Sequence, residues 1–220
     1  MQEPIVPQFG RPDTTPDVAT NARVGGGRNN QEGWRGIAST IVILIAAPLV
    51  ALFLINFVFQ SYEVDGPSME TTLSNQDRLI VNKIPRTIAR IRGEHYIPHR
   101  GDIIIFIKRG LADNSGGEKQ LIKRVIGLPG ERVVAKDGHL IVYNKEHPIG
   151  YNPFPLDKYP GINVDTTGNA DFTVKENEVF VSGDNRPNSL DSRLFGPIDT
   201  SDIIGKLSWR IFPINKAEHF

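Results

Sequence analysis

The residues best placed to do chemistry are a serine on a bend and a lysine in a later extended stretch. Ser68 lies in Val64-Asp65-Gly66-Pro67-Ser68-Met69-Glu70-Thr71-Thr72-Leu73. Gly66 and Pro67 force a turn, so Ser68 is carried on a constrained bend and not within a strand. A serine hydroxyl attacks a carbonyl effectively only when a neighbouring group takes its proton. Lys123 is the candidate base. In Leu121-Ile122-Lys123-Arg124-Val125 an extended backbone turns Leu121, Lys123 and Val125 to one face. An ammonium held between aliphatic side chains loses hydration, its pKa falls below the ordinary value of about 10.4, and the neutral amine can accept a proton. Taken singly, each residue has a plainer explanation. Serine is an ordinary turn residue, and a lysine on an apolar face often buries its stem while its head stays wet.

A third stretch, Ser182-Gly183-Asp184-Asn185-Arg186-Pro187-Asn188-Ser189-Leu190-Asp191-Ser192-Arg193, is dense in turn-forming polar residues. A rigid surface loop is its default reading. The same density of hydrogen-bonding groups can support a catalytic pair: Ser189 can orient a neutral lysine amine, and Asp191 can pair with Arg193 or Arg124. Val64, Met69, Leu73 and Ile122 are candidate apolar walls of a substrate pocket. No metal site and no cofactor are expected. His95 and His99 are separated by Pro98, which prevents a helical ligand pair, and none of the five histidines flanks Ser68 or Lys123. The chain has no cysteine, so disulfides, thiolate catalysis and cysteine-ligated zinc are excluded.

The elements that must position these groups follow from the apolar pattern. Residues 37–59 carry no charged side chain. As a helix they extend roughly 35 Å, enough to cross a hydrocarbon core of about 30 Å. The run is longer than the roughly 7–15 apolar residues of a cleaved export signal. A transmembrane anchor over 34–59 is therefore expected. Arg23, Arg28 and Arg35 precede it, whereas Glu63, Asp65, Glu70 and Asp77 follow it before any cation. Basic flanks stay in the cytoplasm, so the N-terminus is expected inside and Ser68 outside, close to the lipid surface of a cell membrane. Residues 1–33, with four prolines and Gly25-Gly26-Gly27, are expected to be a disordered tail. The triple glycine lacks the lysine and hydroxyl residue of a phosphate loop.

Beyond the anchor the pattern turns to short apolar runs punctuated by Gly, Pro and Asp. Strands are expected at Arg78–Asn82, Asp102–Ile107, Leu121–Ile126, Arg132–Ala135, Leu140–Tyr143, Val179–Ser182 and Ile203–Ile211. No amphipathic helix is expected. Residues 60–220 should form one mainly β extracytoplasmic domain, with a loop-rich inserted lobe at about 137–175. The 220-residue chain carries 25 basic and 25 acidic residues, a balance that argues against a nucleic-acid partner.

Together these stretches resemble the bacterial type I signal peptidases, membrane-bound serine proteases with a Ser–Lys dyad. Gly66-Pro67-Ser68-Met69 with Thr72-Leu73 is similar to the nucleophile box. Arg78 to Lys83 and Arg100 to Phe106 resemble the two strands after it, Lys123 to Glu131 the lysine box, and Gly183 to Arg193 the last box. The resemblance covers roughly residues 37–210. It implies coiled antiparallel β-sheets after one transmembrane helix, with Ser68 as nucleophile, Lys123 as general base and Ser189 positioning the amine. Asp191, Arg193 and Arg124 would then be ion-paired support. Exported preproteins would be the substrates and the lipid bilayer a partner. The family commonly has proline at the position of Thr71. Some members have a serine at the position of Gly66 whose hydroxyl holds the oxyanion, which here would rest on the Ser68 N–H and a further donor. Two other readings fit less of the pattern: a peptidase dedicated to one secretion or conjugation component, and a non-catalytic, membrane-tethered β binding domain.

Overall fold

The computed structural model describes residues 30–112, 116–155, 162 and 165–220. Residues 1–29 of the tail expected at 1–33, with Arg23 and Arg28, lie outside the described residues. Helix α1 (Asn30–Phe53) begins inside the stretch expected to belong to that tail. It runs through a π-helical turn at Leu54–Val58. Gly36–Val58 is an apolar span of 23 residues, with a mean hydropathy of 2.9 and no part of it buried by the protein. A helix that is apolar all round needs a non-aqueous neighbour. By length and composition it can cross a bilayer.

Residues 46–220 form one unit. The eleven strands among its described residues are β1 (Phe59–Glu63), β2 (Arg78–Asn82), β3 (Ile103–Ala112), β4 (Glu118–Gly127), β5 (Arg132–Lys136), β6 (His139–Tyr143), β7 (Ala170–Thr173), β8 (Glu178–Ser182), β9 (Ile198–Asp199), β10 (Ile203–Phe212) and β11 (Glu218–His219). All seven expected strands are present. The main sheet has the order β1-β2-β10-β3-β4-β8-β9, with β11 on β10, and every pairing is antiparallel. Register shifts along β10, between Ile203 and Gly205, Leu207 and Trp209, and Arg210 and Phe212, increase local twist and coil the sheet. Gly205 sits where a Cβ would come within 2.6 Å of the Asn82 carbonyl oxygen, so the close approach of β10 to β2 requires glycine there.

Two expectations are corrected. Helix α2 (Ile84–Arg92) stands where no helix was expected. Pro85 sits in the first turn, where its missing N–H costs nothing. Gly93, at φ 72°, closes the far end, and Arg90 and Arg92 complement the C-terminal dipole. The loop-rich inserted lobe holds, besides the expected strand at Leu140–Tyr143, a second strand that was not expected, Ala170–Thr173. It contributes β6 and β7, which flank β5 in a three-stranded sheet. Val133, Leu140 and Val142 of that sheet pack with Val174 and with Ile126 and Phe180 of the main sheet in one core.

One topological detail bears on the site. β3 pairs with β4 along its length, but β8 pairs only with Arg124–Gly127 on the other side. The Glu118–Lys123 half of β4 therefore has one edge without a strand partner among the described residues.

Candidate active site

The bend that carries Ser68 is built by its neighbours. Val64 N–H donates to Asp77 O and Gln76 N–H to Val64 O, both at 2.9 Å, closing the base of the loop. Gly66 adopts φ 94°, a conformation that glycine takes freely, and its N–H donates to Asn75 Oδ1 at 2.9 Å. Met69 and Leu73 point inward and are completely buried, in a cluster with Val64, Leu79, Ile103 and Leu207. Burial of each such side chain is worth about 1.5–3 kcal/mol, so the loop is held from beneath. This corrects the expectation that Met69 and Leu73 line the pocket. On so tight a bend, the residues flanking an outward serine turn into the core.

The loop is also held from the side. Asn185 N–H donates to Ser68 O at 3.1 Å, and Asn185 Nδ2 donates to Pro67 O at 3.1 Å. Thr72 Oγ1 donates to Asp184 Oδ2 at 2.6 Å. Gly183 makes this approach feasible. A Cβ there would lie 2.3 Å from both Ser68 O and Ser189 Oγ, well inside van der Waals contact. Among the described residues no acceptor meets the Ser68 N–H, which leaves it free to donate to an oxyanion.

Lys123 projects from β4, opposite Ile104 of β3, and is 2% exposed. Its Nζ lies 2.7 Å from Ser68 Oγ and donates to Ile122 O, also at 2.7 Å. Burial lowers the pKa of Lys123 to about 8, against the raising influence of the Asp191 and Asp184 carboxylates. No carboxylate lies within ion-pairing distance of the amine among the described residues. A neutral amine has one lone pair and two N–H bonds. Donation to Ile122 O leaves the lone pair for the serine proton.

Of the two cations weighed for Asp191, the structure gives it Arg193. Arg193 pairs with Asp191, Nε to Oδ1 and Nη2 to Oδ2, each at 2.8 Å. Burial works against ionisation of Asp191, but the Arg193 guanidinium, the Ser189 hydroxyl and the Gly183 N–H together hold its carboxyl below the usual range. Arg124 does not join this pair. It grips Asp184 bidentately, Nε to Oδ1 at 2.8 Å and Nη2 to Oδ2 at 2.7 Å. Asp184 was visible in the sequence only as a turn residue, and the register of β4 on β8 hands it to Arg124. Ser189 is not bonded to Lys123 either. Its Oγ accepts from Gly183 N–H at 3.1 Å.

A cleft of about 150 Å³ opens beside Ser68 and Lys123. One wall is Tyr62 to Asp65, at the end of β1 and just after it. The other is Lys119 to Lys123, on the unpaired edge of β4. Leu79 and Ile105 complete the lining. Val64 and Ile122 line it, together with Tyr62, Leu79 and Ile105, which the sequence did not mark as candidates. Their strand alternation gave a signal, but only the pairing order shows which faces meet.

Residues 37–212 match the family model described as "Signal peptidase, peptidase S26". The chain belongs to the signal peptidase family. It is a serine protease, a hydrolase. It is 34% identical to "Signal peptidase I P" of Bacillus subtilis subsp. natto over 176 residues, 78% of this chain and 87% of that protein. It is 36% identical to "Signal peptidase I" of Bacillus caldolyticus over 169 residues, 73% and 83% of the two chains. A crystal structure of a signal peptidase I from Enterococcus faecalis V583 aligns with 50% of this chain and 97% of that one, at 30% identity and a TM-score of 0.36.

Proposed function

We propose that this signal peptidase cleaves N-terminal signal peptides from exported preproteins on the extracytoplasmic face of the membrane, with Ser68 as nucleophile and Lys123 as general base. The observation that carries this reading is a buried amine 2.7 Å from Ser68 Oγ, its pKa lowered to about 8. Neutral Lys123 takes the Ser68 proton as Oγ attacks the scissile carbonyl. The Ser68 N–H donates to the tetrahedral oxyanion. The Lys123 ammonium then protonates the leaving amine, and the peptide bond breaks to leave an ester on Ser68. The neutral amine next takes a proton from water as the hydroxide attacks the ester, and the Lys123 ammonium returns that proton to Ser68 Oγ as the ester bond breaks, so the acid product leaves with Ser68 and the neutral amine restored.

The cleft supports an extended substrate. The unpaired edge of β4 offers backbone groups to an added strand, and a volume of about 150 Å³ suits side chains as small as those of the Ala-x-Ala pattern before signal cleavage sites. The span Gly36–Val58 anchors the chain, and the charge asymmetry across it favours a cytoplasmic N-terminus.

The test is incubation of detergent-solubilised full chain with several unrelated preproteins, read by product mass. Cleavage of all of them at signal junctions is expected. Cleavage of one alone would mark a dedicated processing peptidase, and cleavage of none would overturn the assignment.

A further inference from the structure

The reading of Gly36–Val58 as a bilayer span leaves α2 unexplained. The helix is fastened to the end of that span. Thr87 Oγ1 donates to Phe57 O at 3.0 Å, Lys83 N–H donates to Val58 O at 2.7 Å, and Lys83 Nζ donates to Gln60 Oε1 at 3.2 Å. At 100° per residue, Ile84, Ile88 and Ile91 form one stripe, and they are 36%, 43% and 80% exposed. Lys83, Arg86 and Arg90 form a second stripe. A groove lies between α2 and the last turns of the span, lined by Phe53, Asn56, Phe57, Lys83, Arg86 and Arg90.

These cations differ from the ion-paired arginines of the fold. Arg100, Arg124, Arg132, Arg193 and Arg210 each meet a carboxylate. No carboxylate lies within ion-pairing distance of Lys83, Arg86 or Arg90 among the described residues. Partial burial and the repulsion of neighbouring cations lower the pKa of Lys83 and of Arg86, and the more distant Asp202 and Tyr62 only partly offset this at Arg86. Three crowded cations beside exposed isoleucines, at the end of an apolar span, form an incomplete site whose missing component is negative and lies at an apolar boundary.

We propose that α2 is a headgroup-docking helix. Lys83, Arg86 and Arg90 bind the phosphates of anionic lipids, and Ile84, Ile88 and Ile91 enter the interfacial layer of the bilayer that the same chain spans. Basic residues facing an anionic surface and apolar residues entering the acyl boundary are what hold an amphipathic helix in the interface plane. Docking fixes the height at which β2 and its neighbours leave the membrane. Anionic lipid thereby acts as a binding partner of the enzyme as well as its solvent.

The chain has no cysteine, so Ile91→Cys in the full-length protein accepts a single fluorophore. The labelled protein is placed in nanodiscs of phosphatidylcholine alone or enriched in phosphatidylglycerol, each with nitroxide-bearing lipid, and quenching is measured. Quenching is expected to rise with phosphatidylglycerol and fall at high salt. Each of Lys83→Gln, Arg86→Gln and Arg90→Gln is expected to lower the docked-to-undocked ratio about fivefold, while cleavage of preprotein in detergent is unchanged. The salt series on the unsubstituted helix keeps the test decisive if a variant folds poorly. Quenching that is independent of phosphatidylglycerol and salt, or an equal response to free inorganic phosphate in phosphatidylcholine discs, overturns the docking helix. Failure of the chain to enter discs at all overturns the membrane reading beneath it.

Discussion

Lys123 and Arg124 are consecutive on β4 and both are buried, at 2% and 9% exposure, yet their surroundings treat charge in opposite ways. Arg124 is gripped by both oxygens of Asp184 and by the Gly101 carbonyl, so its permanent charge is matched in place. Lys123 meets a hydroxyl and a carbonyl, neither of which balances an ammonium. Burial without a counter-ion makes a base, and burial with one makes a strut. The two environments share a wall, because Asp184 also accepts from Thr72 on the loop of Ser68. The strut thus helps to position the loop that carries Ser68.

Erasing the difference at Lys123 should have the largest effect. Lys123→Arg puts a permanent cation where the proposed mechanism needs a neutral amine, and Lys123→Met removes the proposed base. Each is expected to lower kcat/KM by about 10⁴- to 10⁶-fold, as is Ser68→Ala, in a preprotein cleavage assay. In the unsubstituted enzyme kcat/KM should reach half its plateau near pH 8, where Lys123 loses its proton, and fall about tenfold per pH unit below that. A flat profile down to pH 5 would remove Lys123 as the base.

Removing the counter-ion from the other side comes next. Asp184→Asn leaves Arg124 buried and unmatched, at a cost of about 3–5 kcal/mol, measurable as a lowered midpoint in denaturant unfolding. Lys123→Met should move stability the opposite way. The folded pKa of about 8 lies below the ordinary lysine value of 10.5, so below pH 8 folding bears the whole cost of burying the ammonium. That cost disappears as pH rises from about 8 to 10.5. The variant should be about 3 kcal/mol more stable than the parent at pH 7, with the gap closing by pH 10.5. The smallest effect is expected from Ser189→Ala. Gly183 N–H retains Asp191 Oδ2 at 3.0 Å, so the loss should be about 1 kcal/mol of stability and less than tenfold in rate. A larger rate loss with a displaced pH midpoint would show that Ser189 acts on the amine after all.

The sequence reveals parts of this comparison and hides others. Apolar alternation around Lys123 marks its burial, and Gly66-Pro67 marks the bend at Ser68, because both signals are local. The partner of Arg124 is not local. Asp184 and Asp191 lie in one turn-rich loop, and only the pairing of Arg124 with Ser182 decides which carboxylate it meets. Helix α2 escaped notice because Pro85 reads as a breaker until it falls in a first turn. β1 was hidden because Phe59 continues the apolar run of the span, and the polar Ala170–Thr173 segment carries little strand signal. Met69 and Leu73 were misjudged because proximity in sequence to a nucleophile says nothing about which way a bend turns.

The bare backbone of residue 183 sets a limit on engineering. Two oxygens from separate loops occupy the space where a methyl group would begin, so even alanine must push the serine loop away from the loop that carries Asp184. A saturation library at this codon should return glycine alone among active clones, whereas changes in cleavage preference are better sought at Tyr62, Ile105 and Ile122, which line the cleft.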